Sequence, residues 1–487
     1  MTSREALAVA VIAAPAVGSA LVACSPRRAV TAVAAVSALL TGSLTVALAS
    51  IALTGPDEPF VGDWLVVDAA GGLLVGVIGV VGTASVLVSP AYLGTVESAL
   101  VRPERRVRTY YLLLLSFWAV LLAVPLAGNL AGAWLLVEAT TAASAVLVGF
   151  SGRPRALEAG WKYLILTTLG LGVALLGIVL LAAGTPGGGL ETLSWTALGT
   201  FGSGADTALV AYVLLLAGLA AKIGWAPVHN WLPDAHAEAP PPVSALLSAA
   251  LLPAVLLVAW RAEQSLAPVV GVDTAQTVLI GFGLVSLAVA VPFLWRALAW
   301  KRLLAYSSLE HMGVIALGIG FATPLALAGV AIHITSHAVA KALGFYAAVP
   351  LLGHDPRAAR RSVTGVARTK PVLGASLGLS LGALAGLPPF PLFVSEVLIV
   401  AGGFDAGRGW AAAAAALLLA LGFLGLAHAL IETTVGRPHR RDAAHAPGLR
   451  GVAVLTGACL VVLLALSGAA LWLPGSDLVE ALLEGVA

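Results

Sequence analysis

Lys222 lies in an otherwise apolar run, and Gly224, Pro227 and Pro233 follow it in KIGWAPVHNWLPDAHAEAPPPVSALL. About fifteen apolar or small residues precede it, which favours a deep position over one snorkelling to headgroups. An ammonium is costly to bury in hydrocarbon. A deep lysine beside interrupted backbone therefore marks an ion or proton path.

Other titratable residues share this pattern. Glu138 lies within GAWLLVEATTAASAVLV, flanked by small residues that leave room for water. Near Lys222, each group would set the proton affinity of the other; a static buried ion pair is the plainer alternative. HITSHAVAK carries His333, His337 and Lys341 at four-residue spacing, so all three share one helical stripe. Two histidines one turn apart are also zinc-type ligands. The HExxH glutamate is missing and the sequence offers no third ligand, so a proton wire is expected here and no metal. Glu396 follows the broken stretch LPPFPLFVSEVLIV, and Glu310-His311 form a further pair in YSSLEHMG. His229 and His236, with Asp234 and Glu238, follow the first break. They either link Lys222 to water or are ordinary interfacial polar residues.

These side chains need apolar helices to hold them. The 487 residues are 60% hydrophobic and 10% charged, with mean hydropathy +1.00. That composition describes an all-α polytopic membrane protein, and the runs are too long for a β-barrel. About fourteen spans are expected, near 6–24, 29–53, 64–94, 109–126, 129–150, 157–184, 207–232, 241–263, 274–297, 303–321, 324–352, 371–401, 409–435 and 451–473. Cys24 and Cys459, the only cysteines, lie far apart, which excludes an iron–sulfur or zinc framework. No P-loop occurs, and the glycines of GLGVALLG fit helix packing better. No cofactor is expected. The near-neutral charge of +2 gives no sign of nucleic-acid binding.

Charge orients the chain. Arg27/Arg28, Arg102–Arg108, Arg153/Arg155/Lys162, Arg296/Lys301/Arg302, Arg357–Lys370 and Arg437–Arg450 follow odd-numbered spans. The loops after even-numbered spans carry Asp57, Glu58, Glu191, Asp206, Glu263, Asp273 and Asp405 instead. The positive-inside rule then places both termini on the extracytoplasmic side of the cell membrane. Leu21-Val22-Ala23-Cys24 resembles a lipoprotein signal, but Arg27 and Arg28 suit a cytoplasmic loop, so a retained first helix is expected. Trp64, Trp161, Trp195, Trp260, Trp410 and Trp472 fall near span ends, as an interfacial belt requires.

An internal repeat shows in the polar landmarks. Glu138 and Lys222 are 84 residues apart, and His311 and Glu396 are 85 apart. Gly/Pro breaks accompany the second member of each pair, on spans seven and twelve. An offset of five spans inverts the second unit, giving two inverted five-helix repeats with broken helices 7 and 12.

KIGWAPVHNWLPDAHAEAPPPVSALL, WKRLLAYSSLEHMG, HITSHAVAKALGF and LPPFPLFVSEVLIV together resemble the antiporter-like subunits of respiratory complex I, Mrp-type antiporters and membrane-bound hydrogenases. SSLEHMG and LPPFPLFVSE are most similar to component F of hydrogenase-4 and formate hydrogenlyase-like complexes. The resemblance implies a three-helix segment (1–108), repeats over 109–263 and 264–436, and a final helix in 437–487. It implies Lys222 as the proton-input residue, Glu138 as its modulator and Glu396 as the output, with His333, His337 and Lys341 on a connecting helix. Many relatives carry a lysine on span eight, where this chain has Pro253. The chain also stops soon after span fourteen, without the long lateral helix that some complex I relatives append.

The leading expectation is a proton-translocating subunit of a redox-driven complex. Its partners would be other membrane-arm subunits and a peripheral redox module, of nickel–iron hydrogenase type in this reading. The rival is a cation/proton antiporter or an inorganic-carbon uptake module. A lipid-linked transferase lacks an acidic cluster here, and an inert scaffold would avoid burying Glu138, Lys222, Lys341 and Glu396.

Overall fold

The computed structural model describes residues 3–54, 60–94, 101–102, 105–185, 190–200, 202, 204–352, 362–438, 449–470, 472 and 476. Asp57, Glu58, Arg357, Arg360, Arg361, Arg440 and Arg441 lie outside them, as does the side chain of Glu191.

Long apolar runs without internal water must satisfy every backbone donor within the segment, so they form helices. The first six are α1 (Ser3–Cys24), α2 (Val30–Thr54), α3 (Ala69–Leu93), α4 (Arg106–Ala123), α5 (Leu130–Val148) and α6 (Pro154–Gly184). A two-residue hairpin pairs β1 (Phe60–Val61) with β2 (Val66–Val67), so the third span begins at Ala69 and not at 64. Then come α7 (Ala205–Ile223), the short α8 (Leu232–Glu238), α9 (Pro241–Leu246) and α10 (Leu252–Val270), the last two joined by a π-helical turn over Leu247–Leu251. The chain continues through α11 (Val272–Leu294), α12 (Trp300–Phe321), α13 (Pro324–Leu352) and the short α14 (Val366–Thr369). It ends with α15 (Pro371–Leu384), α16 (Pro391–Asp405), α17 (Gly409–Val435) and α18 (Leu449–Ala469).

Among the described residues, thirteen helical segments are long and apolar enough to cross a membrane. The twelfth span, over 371–401 in the sequence reading, consists of two helices, α15 and α16, of 14 and 15 residues. The expected seventh span is also shorter than 207–232. Gly224, at φ +81°, ends α7, and its N–H donates to Ala220 O. The α9–α10 segment is wholly enclosed and α12 nearly so, whereas α1, α6, α17 and α18 face mostly outward.

Ion pairs sort the loops onto two ends of the bundle. Lys162 pairs with Asp234 at 3.2 Å, Arg302 also pairs with Asp234, and Arg153 lies 3.9 Å from Glu238. All of these belong to loops or helix ends following odd-numbered spans. At the other end Arg408 meets Asp273 at 2.7 Å and Arg261 meets Asp68 at 2.9 Å. An alternating topology requires this segregation.

Three sequence expectations need correction. Glu263 is buried within α10, which runs on to Val270, and so is not a loop residue. Trp195 and Trp260 are buried too, unlike Trp64, Trp161, Trp410 and Trp472, which are exposed as an aromatic belt would be. Trp195 Nε1 donates to Ala127 O at 2.8 Å, and that tertiary hydrogen bond decides its placement.

Candidate functional site: a buried polar row through the bundle

Close backbone packing sets the position of Lys222. A Cβ at Gly170 would lie 2.3 Å from Ala221 Cβ, and one at Gly218 would lie 2.4 Å from Gly170 O. Only glycine lets α6 and α7 approach so closely. The approach brings Lys222, wholly buried, against Tyr163. Its Nζ donates to the Tyr163 hydroxyl at 2.6 Å and to Thr141 Oγ1 at 2.7 Å. Tyr163 in turn lies 2.8 Å from Ser144 Oγ, and Ser144 donates to Thr140 O at 2.6 Å. Each hydroxyl has one proton to give, so the bonds run from Lys222 through Tyr163 and Ser144 to a backbone carbonyl.

Glu138 does not form an ion pair with Lys222. Its Oε1 accepts from Thr168 at 2.9 Å, and its Oε2 has no hydrogen-bond partner among the described residues. The ammonium is instead solvated by neutral oxygens, while Glu138 remains within its electrostatic reach. The static ion pair, the plainer alternative, is therefore absent.

Beyond Gly224 the chain turns irregularly through residues 225–231 and enters α8. Trp231 packs on Tyr163 with ring centroids 4.7 Å apart, tying this turn to the lysine pocket. His229 Nδ1 and both ring nitrogens of His236 are buried without a hydrogen-bond partner among the described residues. His236 stacks on Phe345 of α13 at 5.3 Å and lies within electrostatic reach of Lys341 and Lys301. Lys301, read from sequence as a loop charge, is buried and donates to the carbonyls of Ala237 and Ala239. Beside α8 opens a vestibule of about 600 Å³, lined by Arg155, Glu158, Lys162, Asp234, Glu238 and Arg302.

In the second half Lys341 donates to Leu304 O and to Ser307 Oγ. The three histidines cluster: the His311 ring lies 5.0 Å from that of His333 and 5.1 Å from that of His337. His311 Nδ1 is 3.0 Å from His333 Nε2, and His333 Nδ1 is 2.9 Å from Ser395 Oγ. Ser395 commits its only proton to Leu392 O at 2.7 Å. It must therefore accept from His333 Nδ1–H, which assigns the donor role toward His333 Nε2 to His311 Nδ1–H.

The break between α15 and α16 holds Glu396. Gly386, at φ +67°, presents no side chain, and a Cβ there would lie 2.7 Å from Glu396 Oε2. Glu310 fills a similar notch: a Cβ at Gly422 would come within 2.0 Å of its Oε1, and its Oε2 has no hydrogen-bond partner among the described residues. Glu310 lies within electrostatic reach of both Lys341 and Glu396.

The structure thus gathers His311, His333, His337, Lys341, Glu310 and Glu396 around α12, α13 and α16, and His236 adjoins them. Glu138 and Lys222 form a second group, and His229 lies in the irregular turn between α7 and α8. Spacing had not singled out Tyr163, Ser144, Lys301, Ser307 or Ser395; only Thr141, one turn after Glu138, carried a local signal. Pro253 stands apart from the row, lining an apolar pocket with Leu256, Leu257, Trp260 and Ile334. The preceding π turn instead presents Ser248, which lies 2.7 Å from Ser308 Oγ of α12.

A bundle of apolar helices with broken crossings and a buried row of Lys, His and Glu defines an antiporter-like membrane subunit. Residues 127–422 match the family described as NADH:quinone oxidoreductase/Mrp antiporter, TM, and the chain belongs to that family. It is 35% identical over 320 residues to a hydrogenase-4 component F homolog of Methylacidiphilum infernorum, a match covering 64% of this chain and 66% of that protein. It is 30% identical over 393 residues to NADH-quinone oxidoreductase subunit N of Desulforudis audaxviator, covering 77% and 74%. In fold it is similar to a chain of the archaeal membrane-bound sulfane sulfur reductase, a respiratory membrane complex. There the TM-score is 0.84 at 20% identity, over 98% of this chain and 97% of the other.

Proposed function

We propose that this chain is a proton-translocating subunit of a redox-driven membrane complex of the hydrogenase-4, formate hydrogenlyase or complex I type. The observation that carries the reading is the buried row itself: two clusters of titratable groups, each beside a helix break, linked by His236 and Lys341. Burying so many polar groups in a membrane bundle is costly, and a scaffold would have no need of them.

In this reading protons reach Lys222 from the charged vestibule beside α8. Lys222 exchanges with the Tyr163–Ser144 chain, and Glu138 sets how readily the ammonium forms. The stretch between Lys222 and His236 carries no described titratable side chain in direct contact, so water must bridge it. His236 passes charge to Lys341. From there Glu310 and the His337–His311–His333 cluster lead to Glu396 at the second break, where protons leave. Spans four to eight and nine to thirteen would act as two inverted repeats, one for each half-channel.

The chain would sit in the cell membrane with both termini extracytoplasmic. Membrane-arm neighbours and a peripheral module of nickel–iron hydrogenase type would supply the energy. Purifying the native complex and identifying its subunits tests the partners, because recovery of Mrp-type partners alone would favour a cation/proton antiporter. Replacing Lys222 with Ala tests the path: coupled pumping in reconstituted vesicles should stop while the complex still assembles. Full pumping by an intact Lys222→Ala complex overturns the proposal.

A further inference from the structure

The His cluster and Glu396 come from three helices, the consecutive α12 and α13 and the later α16, and they converge on one point. One ligand-type atom from each of His311, His333 and Glu396 lies within 4.8 Å of the others. Two neutral imidazoles and one carboxylate form a donor set suited to a borderline divalent ion such as Zn²⁺. The sequence had shown only the two histidines of α13; the fold supplies His311 from α12 and Glu396 from α16.

We infer that His311, His333 and Glu396 form a binding site for a divalent transition-metal ion of the Zn²⁺ class, and that this ion blocks the proton path it occupies. The blocking clause rests on the proposed function; the binding clause does not.

Three features of the site argue for a ligand. Ser395 fixes the His333 ring through Nδ1 at 2.9 Å, which leaves the Nε2 lone pair turned toward His311. A hydroxyl holding the far nitrogen of an imidazole is the arrangement that orients metal-binding histidines. His311 is the second feature. Its Nε2 is buried without a hydrogen-bond partner among the described residues, so the Nδ1 proton can pass to Nε2 of the same ring, freeing Nδ1 to coordinate. No net proton is lost in that exchange. The third is the space beside the carboxylate, since Glu396 Oε2 faces Gly386, which has no Cβ. The donors lie within 4.8 Å of one another, and drawing them to a tetrahedral edge of about 3.3 Å would fall to rotation of the Glu396 side chain. A filled site would remove His311, His333 and Glu396 from proton exchange together.

The test uses the purified complex in lipid nanodiscs, equilibrated with ZnCl₂ and washed by gel filtration. One zinc per chain is expected, with an X-ray absorption edge showing only N/O donors. His333→Gln and Glu396→Gln should each lower the retained zinc at least tenfold. His333→Cys keeps a ligand and should retain the metal, now with one sulfur in the first shell at about 2.3 Å. Gel-filtration profiles matching the wild type show that the variants are assembled. Equal zinc retention in wild type, His333→Gln and Glu396→Gln overturns the site, as does a His333→Cys complex that holds zinc without a sulfur ligand. Zinc that binds as expected yet leaves proton pumping unchanged supports the site and overturns the blocking clause, and with it the output role of Glu396. Wild-type pumping that is half-inhibited at the zinc concentration that half-fills the site supports both clauses.

Discussion

Lys222 Nζ lies 2.6 Å from the Tyr163 hydroxyl, and this contact, not an ion pair with Glu138, holds the buried ammonium. The carboxylate sits one helical turn from Thr141 and binds Thr168 instead. A cation solvated by hydroxyls can lose its proton without stranding a bare carboxylate partner, which suits an exchanging group better than a tight salt bridge does.

Tyr163→Phe removes both the acceptor for Lys222 and the donor to Ser144 in one step. A hydrogen bond to a charged group is worth about 1.5–3 kcal/mol. Pumping by the reconstituted complex should therefore fall roughly tenfold or more, and Thr141→Val should fall less because Tyr163 remains. Wild-type pumping in an assembled Tyr163→Phe complex would remove the hydroxyl from the path.

Gly386→Ala places a methyl 2.7 Å from Glu396 Oε2 and forces a left-handed backbone on a residue with a Cβ. The backbone strain alone costs about 1–2 kcal/mol. Thermal stability should drop modestly, while proton release, read by dye quenching in vesicles, should slow several-fold. A variant that loses stability but keeps its pumping rate per assembled complex would show that the notch serves folding only.

Asp68 and Arg261 tie the start of α3 to the middle of α10, with Arg261 Nη2 2.9 Å from each carboxylate oxygen. Both are buried, and Asp68 also caps α3 through Gly71 N–H at 2.6 Å. Breaking such a pair typically costs about 3–5 kcal/mol because one charge is left uncompensated. Arg261→Met alone should lower the melting temperature more than Asp68→Asn with Arg261→Met together. The reverse order, measured by thermal melts of the complex, would refute the clamp.

Topology is open to a direct labelling test. With Cys24 and Cys459 replaced by serine, single cysteines at Arg155 and Arg302 should be shielded in intact cells from an impermeant thiol reagent. Cysteines at Asp63 and Arg408 should react. The ion pairs already place Arg302 with Lys162 and Arg408 with Asp273. Reaction of the first pair and not the second would invert the orientation, and a split within either pair would break the alternating scheme.

The double substitution His333→Gln/His337→Gln removes two members of the imidazole cluster while keeping comparable bulk. The proton-to-electron ratio of the complex should fall markedly, and Lys341→Met should impair transfer similarly. An unchanged ratio in an assembled double variant would mean that these rings only pack α12 against α13.

Much of this protein was legible from the chain because hydrocarbon imposes a simple rule. Apolar runs of membrane length must be helices, and charges within them must have a reason to be there. Gly224 and Gly386–Pro391 announced the two interruptions, because glycine and proline weaken a hydrogen-bond ladder wherever they occur. The four-residue spacing of His333, His337 and Lys341 announced a shared face, since helical geometry is local. Partners across helices were not legible. Tyr163 meets Lys222 only because Gly170 and Gly218 let α6 and α7 touch, and no spacing between residues 163 and 222 encodes that. Glu138 looked like the partner of Lys222, but rotation about the helix axes directs it to Thr168. Ser395, Lys301 and the convergence of His311 with Glu396 likewise depend on how α8, α12, α13 and α16 pack. Local sequence thus determined which runs form apolar helices and where the backbone yields. Tertiary packing decided which of them touch, because side-chain contact depends on interhelical distance and rotation that no single helix specifies.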